Sequence, residues 1–500
     1  MKKASVIGAG FSGLAAASFL ARDGFEVTVF EKNSSPGGRA RKFESDGFVY
    51  DMGPSWYWMP DVFEKFFNQF GKTTSDYYSL KRLDPSYRIF FSKDEYVDMP
   101  AGIEALCKLF DDIEPGSGKN LIRFLNESKV KYDIAINHLV YKPGLSLFEF
   151  AEPSLLNGLL KLHVFQSVSQ YVRKFFKDPR IIKLLEFPVL FLGATAEKTP
   201  ALYTMMNYAD MALGTWYPMG GMFKIVEGMT TLAQSLGVRF HFNHAIERIE
   251  MNGRGAKGLW SVDKLFLSDC IIAGADYYHV EQELLPAKFR QYSDSYWRKR
   301  VMAPSSLIFY VGINRRLNRL EHHNLFFDED FGRHAHEIYD DPRWPTLPQF
   351  YVSCPSKTDP TVAPDGCENL FILIPVAPGL HDDEAIRERY FDMIINRIET
   401  ITGENIRPHI AFKRSYAHND FISDYNAYKG NAYGLANTLR QTANFKPSIV
   451  NKKVGNLFYT GQLTVPGPGV PPSLISGEIV AKHVIKSFNP KAQLHNEKIV

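Results

Sequence analysis

The chain has 500 residues, which is too long for one compact core, so we expect two or three structural regions that share interfaces. Its composition, 45% hydrophobic and 23% charged, is that of an ordinary globular protein. A formal charge of +3 gives no support for nucleic acid as a partner, and no run reaches the ~18 apolar residues that a membrane span needs.

The first residues predict a βαβ unit. Residues 4–7 have the pattern of a buried parallel strand and are followed by a glycine turn. A helix from about Ser12 to Asp23 then leads to a second strand, Val27 to Glu31. From residue 100 to 215 the periodicity is mainly helical, with interruptions at Pro and Gly. The chain therefore begins with a nucleotide-binding pattern and then leaves it.

The strand and helix patterns reappear after a glycine break at Gly220-Gly221. A helix to about Leu236 is predicted first, then a strand pair around Val238 to Glu250, then a buried strand from Cys270 to Ala273. These elements predict a first return to the nucleotide-binding unit.

The C-terminal part predicts a second return. Residues 290–445 are mixed, with strand-like runs at Ser306 to Val311 and Leu370 to Pro375. The last elements are a strand from Asn456 to Thr460 and a helix from about Ser473 to Lys486. Discontinuous domains follow from this order.

The glycine turn is a GxGxxG motif in the context that gives it meaning. Gly8, Gly10 and Gly13 follow a strand and open a helix, where they permit a tight turn, the approach of backbone to a pyrophosphate, and close helix packing. Glu31 ends the second strand, where a carboxylate accepts both hydroxyls of an adenosine ribose and repels a 2′-phosphate. FAD or NAD is therefore favoured over NADP. The alternative is a glycine turn that caps a helix in a ligand-free fold.

Two further segments favour FAD over NAD. Gly37-Gly38-Arg39 lies in a short loop after Glu31, where backbone and a cation could reach a diphosphate. Near the C-terminus, Gly461-Gln462 precedes the proline-glycine segment 466–472, and a helix capped by Ser473 would aim its positive end at a flavin pyrimidine ring. Taken singly, the first segment could be an exposed turn, and the second could be a proline-rich turn before a packing helix.

In this order the segments resemble those of the bacterial phytoene (carotenoid) desaturases. The resemblance includes Asp51-Met52-Gly53-Pro54-Ser55-Trp56, Met59-Pro60-Asp61-Val62-Phe63 and Asn456-Leu457-Phe458-Tyr459-Thr460-Gly461. Tyr217-Pro218-Met219-Gly220-Gly221 also matches, although Met219 stands where many members carry Arg. The similarity spans essentially the whole chain.

The resemblance implies an α/β fold and a set of FAD contacts. A Rossmann-like FAD-binding domain would comprise residues 1–85, 216–288 and 448–490, with a mixed α+β substrate domain and helical lid formed by 86–215 and 289–447. The residues implied at the adenosine diphosphate end are Gly8, Gly10, Gly13, Glu31, Gly38 and Arg39, with Ile246 contacting adenine through its backbone. Those implied nearer the flavin are Ser55, Trp56, Gly461, Gln462, Val470 and Pro471.

The implied reaction removes a hydride and a proton from neighbouring carbons of a long apolar polyene. The hydride would pass to FAD, and oxygen or a quinone would reoxidise the cofactor. Glu149 and Glu152 are candidate bases in the region of the family's proposed catalytic carboxylate, although acids near a helix start more often act as caps. Trp56 or Trp216 could stabilise an allylic cation through cation–π attraction.

Phytoene, desaturated toward lycopene, is the first substrate expectation, and a 1-hydroxycarotenoid 3,4-desaturase is the runner-up. A carotenoid isomerase, a flavin amine oxidase and a non-catalytic lipid carrier on the same fold remain alternatives. The intact glycines and Glu31 argue against the carrier.

The remaining signals concern metal, compartment and membrane. Four scattered cysteines and the pairs His322-His323 and His334/His336 lack the spacing of a metal site, so no metal is expected, and a reducing cytoplasm fits. The stretch from Leu155 to Leu192 combines an apolar stripe with a basic one, as an interfacial helix does. We therefore expect peripheral association with a membrane surface, with a core-facing helix as the alternative.

Overall fold

The computed structural model describes residues 1–146, 149, 162–163, 165–192, 195–438 and 441–488. In chain order its strands are β1 (Lys3–Ile7), β2 (Glu26–Phe30), β3 (Lys42–Ser45), β4 (Phe48–Asp51), β5 (Leu80–Arg82), β6 (Tyr87–Phe90), β7 (Tyr96–Met99), β8 (Trp216–Pro218), β9 (Arg239–His241), β10 (Arg248–Asn252), β11 (Gly255–Ser261), β12 (Lys264–Leu267), β13 (Cys270–Ala273), β14 (Ser305–Ile313), β15 (His323–Phe326), β16 (Phe350–Ser353), β17 (Glu368–Val376), β18 (Ile410–Tyr416) and β19 (Leu457–Tyr459).

Helices cover one face of each main sheet and fill the region between β7 and β8. In chain order the α-helices are α1 (Phe11–Arg22), α2 (Pro60–Asn68), α3 (Ile103–Ile113), α4 (Ser117–Ile134), α5 (Val168–Val172), α6 (Pro179–Glu186), α7 (Met205–Tyr208), α8 (Phe223–Ser235), α9 (Tyr277–His279), α10 (Asp294–Arg298), α11 (Phe331–Tyr339), α12 (Glu384–Thr402), α13 (His418–Tyr425) and α14 (Val470–Phe488). The helical character expected for residues 100–215 is therefore present in the described part of that region.

A five-stranded parallel sheet carries the N-terminal glycine turn. Its strand order is β19-β13-β1-β2-β9, and each neighbouring pair is parallel. β1 and β13 are apolar and almost wholly buried, as parallel strands covered on both faces must be. The predicted α/β class with a Rossmann-like unit is confirmed. The sheet draws on all three segments assigned to the FAD domain, and the domain boundaries stay a prediction.

Both strands predicted around Val238 to Glu250 are present, but the prediction that they pair with each other is wrong. β9 lies beside β2 in the parallel sheet, with Thr28 opposite Arg239. β10 instead pairs antiparallel with β11 in a separate sheet of order β10-β11-β12. The two runs were adjacent in sequence and each had strand character, but periodicity identifies strands and not their partners.

A seven-stranded mixed sheet forms the second layer that borders the cavity. Its order is β18-β14-β17-β16-β15-β6-β7, and β15 and β6 are its parallel pair. All nine residues of β14 are buried, because this long central strand lies between β17 and β18 and is covered on both faces. One face packs on α12, where Phe309 contacts Phe391 at 5.2 Å between ring centroids.

The first and last long helices pack closely against each other. A Cβ added to Gly477 of α14 would lie 2.3 Å from the carbonyl oxygen of Ser12 and 2.8 Å from the Cβ of Ala15 in α1. Only glycine fits at this crossing. The contact places the N-terminus of the chain beside its last helix, so both contribute to one site. Within the described residues, no helix combines the length and apolar character that crossing a bilayer requires.

Candidate active site

The glycine turn leaves a space at the N-terminus of α1. Gly8 has φ +94°, and its N–H donates to the carbonyl oxygen of Phe30 at 2.7 Å. A Cβ on Gly13 would lie 2.0 Å from the oxygen of Gly8, so Gly13 is required for packing. A Cβ on Gly10 would meet nothing within 4 Å. The open space at Gly10, at the positive end of α1, fits a pyrophosphate.

Glu31 is held rigidly beside this turn. Its Oε2 accepts a hydrogen bond from the N–H of Ala9, and its Oε1 accepts two from Asn33, each at 2.9 Å. An ionised carboxylate has further lone pairs, and these can accept the hydroxyls of a ribose. The N–H of His244 donates to the backbone oxygen of Glu31 at 2.9 Å, which brings Ile246 to the same end of the cavity.

Arg39 adds a partly buried cation close to the same turn. The neighbouring Gly38 approaches Gly10 so closely that a Cβ on Gly38 would lie 3.4 Å from the Cα of Gly10. The Nη2 of Arg39 donates to the oxygen of Asn431 at 3.0 Å, whereas its buried Nε has no partner among the described residues. Burial lowers the pKa of Arg39, which an anion would counteract. The unpaired donor therefore fits a diphosphate.

The N-terminus of α14 forms the other end of the cofactor groove. The helix begins at Val470, three residues before the predicted start, and Ser473 donates its backbone N–H to the oxygen of Gly469 at 3.0 Å. The prediction that Ser473 caps the helix is therefore wrong, since Pro471 and Pro472 are tolerated in a first helical turn, where the missing N–H groups have no intrahelical acceptor. The positive end of the helix still faces the cavity.

One continuous cavity of about 880 Å³ joins these features to an apolar chamber. The chamber lies between the helical region and the seven-stranded sheet, and its lining includes Met59, Ile136, Leu139, Leu202, Met206 and Leu373. The implied cofactor residues that line the cavity are Gly8, Gly10, Glu31, Gly38, Arg39, Ser55, Trp56, Ile246, Gly461, Gln462, Val470 and Pro471. Gly13 does not line it and acts through packing.

Trp56 lies where the groove meets the chamber and stacks on a buried histidine. The rings of Trp56 and His323 are 4.1 Å apart at an interplanar angle of 14°. The Nδ1 of His323 shares a hydrogen bond of 2.6 Å with the hydroxyl of Tyr351, which also lines the cavity. Burial lowers the pKa of His323 far below its usual value, so the ring against Trp56 is neutral. Sequence reasoning considered His323 only as a metal ligand, which it set aside, and did not name Tyr351, because no local signal marks a residue 267 positions from its partner.

Two of the other candidate catalytic residues, Trp216 and Glu149, do not line the cavity. Trp216 is not among the lining residues, and its indole N–H donates to the oxygen of Leu213 at 2.9 Å. The carboxylate of Glu149 accepts hydrogen bonds from the N–H groups of Gly144, Leu145 and Ser146 at 2.9–3.0 Å, which is the arrangement of a local cap. Glu152 lies outside the described residues. Catalytic roles for these three residues stay predictions.

Acidic residues of the cavity are concentrated at its cofactor end. Among the described lining residues the carboxylates are those of Glu31, Asp276 and Asp424. Asp276 interacts electrostatically with Arg39, and Asp424 forms an ion pair with Arg41. The described walls of the chamber thus carry no carboxylate, and the chamber suits an apolar ligand.

Comparisons with known proteins agree with this arrangement. The family model described as flavin containing amine oxidoreductase matches residues 11–485. The chain is 41% identical over 485 residues to a carotenoid 3,4-desaturase of Haloarcula japonica, covering 97% of this chain and 98% of the relative. It is 32% identical over 491 residues to a zeta-carotene-forming phytoene desaturase of Myxococcus xanthus, covering 96% and 93%.

A solved structure supports the fold. A crystal structure of an oxidoreductase from Methanosarcina mazei superposes with a TM-score of 0.61 at 17% identity, covering 96% of this chain and all of the other. The expectations of FAD as cofactor and of an oxidoreductase are confirmed. The chain therefore belongs to the flavin containing amine oxidoreductase family and, within it, to the FAD-dependent carotenoid desaturases.

Proposed function

We propose that this carotenoid desaturase acts on the C3–C4 bond near the end of an acyclic carotenoid that carries a hydroxyl group at C1. The observation that supports this substrate is the 41% identity, over nearly the full length of both chains, to a protein named carotenoid 3,4-desaturase. The phytoene and diapophytoene desaturases that also match are 32% identical. A 1-hydroxylated carotenoid, the second expectation from the sequence, is therefore the preferred substrate.

Phytoene remains the second candidate. A hydrocarbon offers no hydrogen bonds, so an apolar chamber distinguishes such substrates by length and shape, with only about 0.8 kcal/mol for each buried methylene. Relatives of one fold can therefore exchange substrates through few residue changes. The similarity to the phytoene desaturase of Myxococcus xanthus keeps this reaction open.

The proposed reaction converts a C–C single bond to a double bond by loss of a hydride from one carbon and a proton from its neighbour. Bound FAD supplies the hydride acceptor. Arg39 and the N-terminus of α1 would hold the diphosphate, and Glu31 would hold the ribose. The apolar lining orients the polyene, and the face of Trp56 stabilises positive charge that develops on the reacting carbons. The proton passes to water or to a residue outside the described walls.

We also propose that the enzyme takes its substrate from a membrane surface and returns electrons to oxygen or a quinone. Val168, Val172 and Phe176 are buried, so this described part of the stripe packs inward. Support for a membrane-facing surface comes from Phe165 of the same stripe, which is fully exposed, and from Phe445, which is 60% exposed. Exposed aromatic side chains beside basic residues suit an anionic bilayer.

The substrate assignment is tested with purified FAD-loaded enzyme and liposomes that contain either phytoene or a 1-hydroxylated acyclic carotenoid. Chromatography and the red-shift of absorption identify the products. We expect C3–C4 desaturation of the hydroxylated carotenoid and little change of phytoene. Conversion of phytoene with the hydroxylated carotenoid untouched would return the assignment to phytoene desaturation.

A further inference from the structure

Two buried polar atoms without partners lie in the segment before β19. They are the Oδ1 of Asn437 and the Nζ of Lys446, and neither has a hydrogen-bond partner among the described residues. Asn437 is 7% exposed and Lys446 is 5% exposed. Because nearly all buried polar groups in folded proteins are paired, two such atoms near one residue call for a partner that the described protein atoms do not supply.

Both atoms lie close to Gly467. A Cβ added to Gly467 would lie 3.0 Å from the Oδ1 of Asn437 and 3.2 Å from the Nζ of Lys446. Asn437 lines the cavity, and so do Pro466 and Pro468 on either side of Gly467. This loop runs directly into α14, whose N-terminus forms the flavin end of the groove. Asn437 therefore lies in the cavity wall at its flavin end, and Lys446 lies directly behind this wall, close to Gly467.

The chemistry of the pair selects the kind of group that it can bind. The amide oxygen of Asn437 only accepts a hydrogen bond, and the ammonium group of Lys446 only donates. A hydroxyl group satisfies both at once, since it donates one hydrogen bond and accepts another. A carboxylate would be repelled by the amide oxygen, and a hydrocarbon would satisfy neither atom. Burial without a neighbouring opposite charge lowers the pKa of Lys446 to about 7.

We infer that Asn437 and Lys446 bind the terminal hydroxyl of the carotenoid and so determine which bond reaches the flavin. The inference rests on the proposed function and names the residues that would recognise the substrate of that reaction. In a C3–C4 desaturation the reacting carbons are only a few bonds from the hydroxylated carbon, so the hydroxyl site must lie near the flavin. For a bond in the middle of the polyene, the chain end would lie far from the flavin instead.

Two variants and two substrates test the pair. Asn437→Leu and Lys446→Met each remove the polar atom and keep most of the side-chain volume. The control is Asn444→Leu, because the Oδ1 of Asn444 is also buried and without a partner among the described residues, but Asn444 is not one of the residues nearest to Gly467. The substrates are a 1-hydroxylated acyclic carotenoid and the same carotenoid without the hydroxyl. The readouts are kcat/KM, binding measured by quenching of tryptophan fluorescence, and flavin content.

We expect the wild type to prefer the hydroxylated carotenoid in binding and in kcat/KM by about 10- to 100-fold, the range of hydrogen bonds to a charged group. Each variant should lose most of this preference by binding the hydroxylated carotenoid less well, with the other carotenoid unaffected. Asn444→Leu should keep the wild-type ratio.

Other outcomes separate the subsite from the proposed function. Equal use of both carotenoids by the wild type and all variants would overturn the subsite while C3–C4 desaturation stands. Loss of flavin, or equally weakened binding of both carotenoids, would show that Lys446 supports the cofactor or the fold, and this too overturns the subsite. If the wild type desaturates neither carotenoid, the proposed function fails, and the fluorescence binding ratio still decides whether the pair recognises a hydroxyl.

Discussion

At Gly10 a new side chain would meet the cofactor and not the protein, because a Cβ there has no protein atom within 4 Å. We expect Gly10→Val to fold normally and to lose FAD, since the valine occupies the space of the pyrophosphate. Flavin absorbance per chain after gel filtration measures the loss. The control is Gly455→Val, a second open position that lies outside the cavity lining. Full flavin occupancy in Gly10→Val would contradict the assignment.

Glu31 offers a graded test of the same site. In Glu31→Gln one carboxylate oxygen becomes an NH₂ group, which cannot accept from the N–H of Ala9 or from a ribose hydroxyl. We expect FAD affinity to fall by about 1.5–3 kcal/mol, the range for a hydrogen bond to a charged group. Titration of the apoprotein by flavin fluorescence measures it. An unchanged dissociation constant would remove Glu31 from the ribose site.

Asp210 couples stability to pH through a buried network. Its carboxylate accepts hydrogen bonds from Tyr87 at 2.7 Å and Thr215 at 2.9 Å, and Thr215 accepts one from the indole of Trp58 at 2.8 Å. Burial raises the pKa of Asp210 from its ordinary value of 3.8 to about 6. The protonated form is therefore the one that folding favours.

The sign of the pH effect follows from that shift. The stabilisation from protonated Asp210 is fully present below about pH 3.8 and is lost as the pH rises through about 6. At ~1.4 kcal/mol per pKa unit, this shift contributes at most about 3 kcal/mol to the free energy of unfolding. The neutral side chain in Asp210→Asn should remove this dependence. Urea unfolding of both proteins between pH 4 and pH 7 measures the difference, which should grow in favour of the variant as pH rises. A constant difference would show that Asp210 does not titrate in this window.

At the scale of elements, the packing of α1 against α14 holds the two helix N-termini at the cofactor groove. Both helices direct their N-termini at the cofactor groove, and their separation depends on Gly477. Gly477→Val would place side-chain atoms against the oxygen of Ser12. Overpacking of this kind costs about 1–3 kcal/mol or more. We expect a lower urea midpoint and weaker FAD binding together. An unchanged midpoint would mean that the two helices are not in close contact.

At the scale of the whole molecule, the proposed membrane surface can be tested by flotation with anionic liposomes. Phe165 is exposed, Lys174 and Lys177 are exposed beside α5, and Arg173 is already paired with Glu186. We therefore expect recovery to fall when Phe165 is changed to Ser and both lysines to Gln, with loss of apolar and electrostatic attraction.

The matched control removes two exposed lysines outside this helical region, Lys288 and Lys299, by the same change to Gln. Its recovery should equal that of the wild type. Equal flotation of all three proteins would exclude this surface as the membrane contact.

The sequence alone determined the βαβ unit and the cofactor class. Gly8, Gly10 and Gly13 act through their own backbone conformation and their fixed spacing from β1, so a local pattern carries the information. The segments near Arg39 and Gly461 were recognisable for the same reason, as runs whose order along the chain matches a family. The predicted start of α14 was three residues late, because the prolines of its first helical turn have the sequence pattern of a non-helical loop.

Only the tertiary structure decided which distant residues meet. β9 pairs with β2 across more than 200 residues, Trp56 stacks on His323, and Asn437 and Lys446 both approach Gly467. Strand and helix periodicity specifies which face of an element is buried, but not the element that covers it. The cavity walls are built from such long-range contacts. The sequence therefore determined that FAD binds, and the packing of separate segments decided what surrounds the substrate.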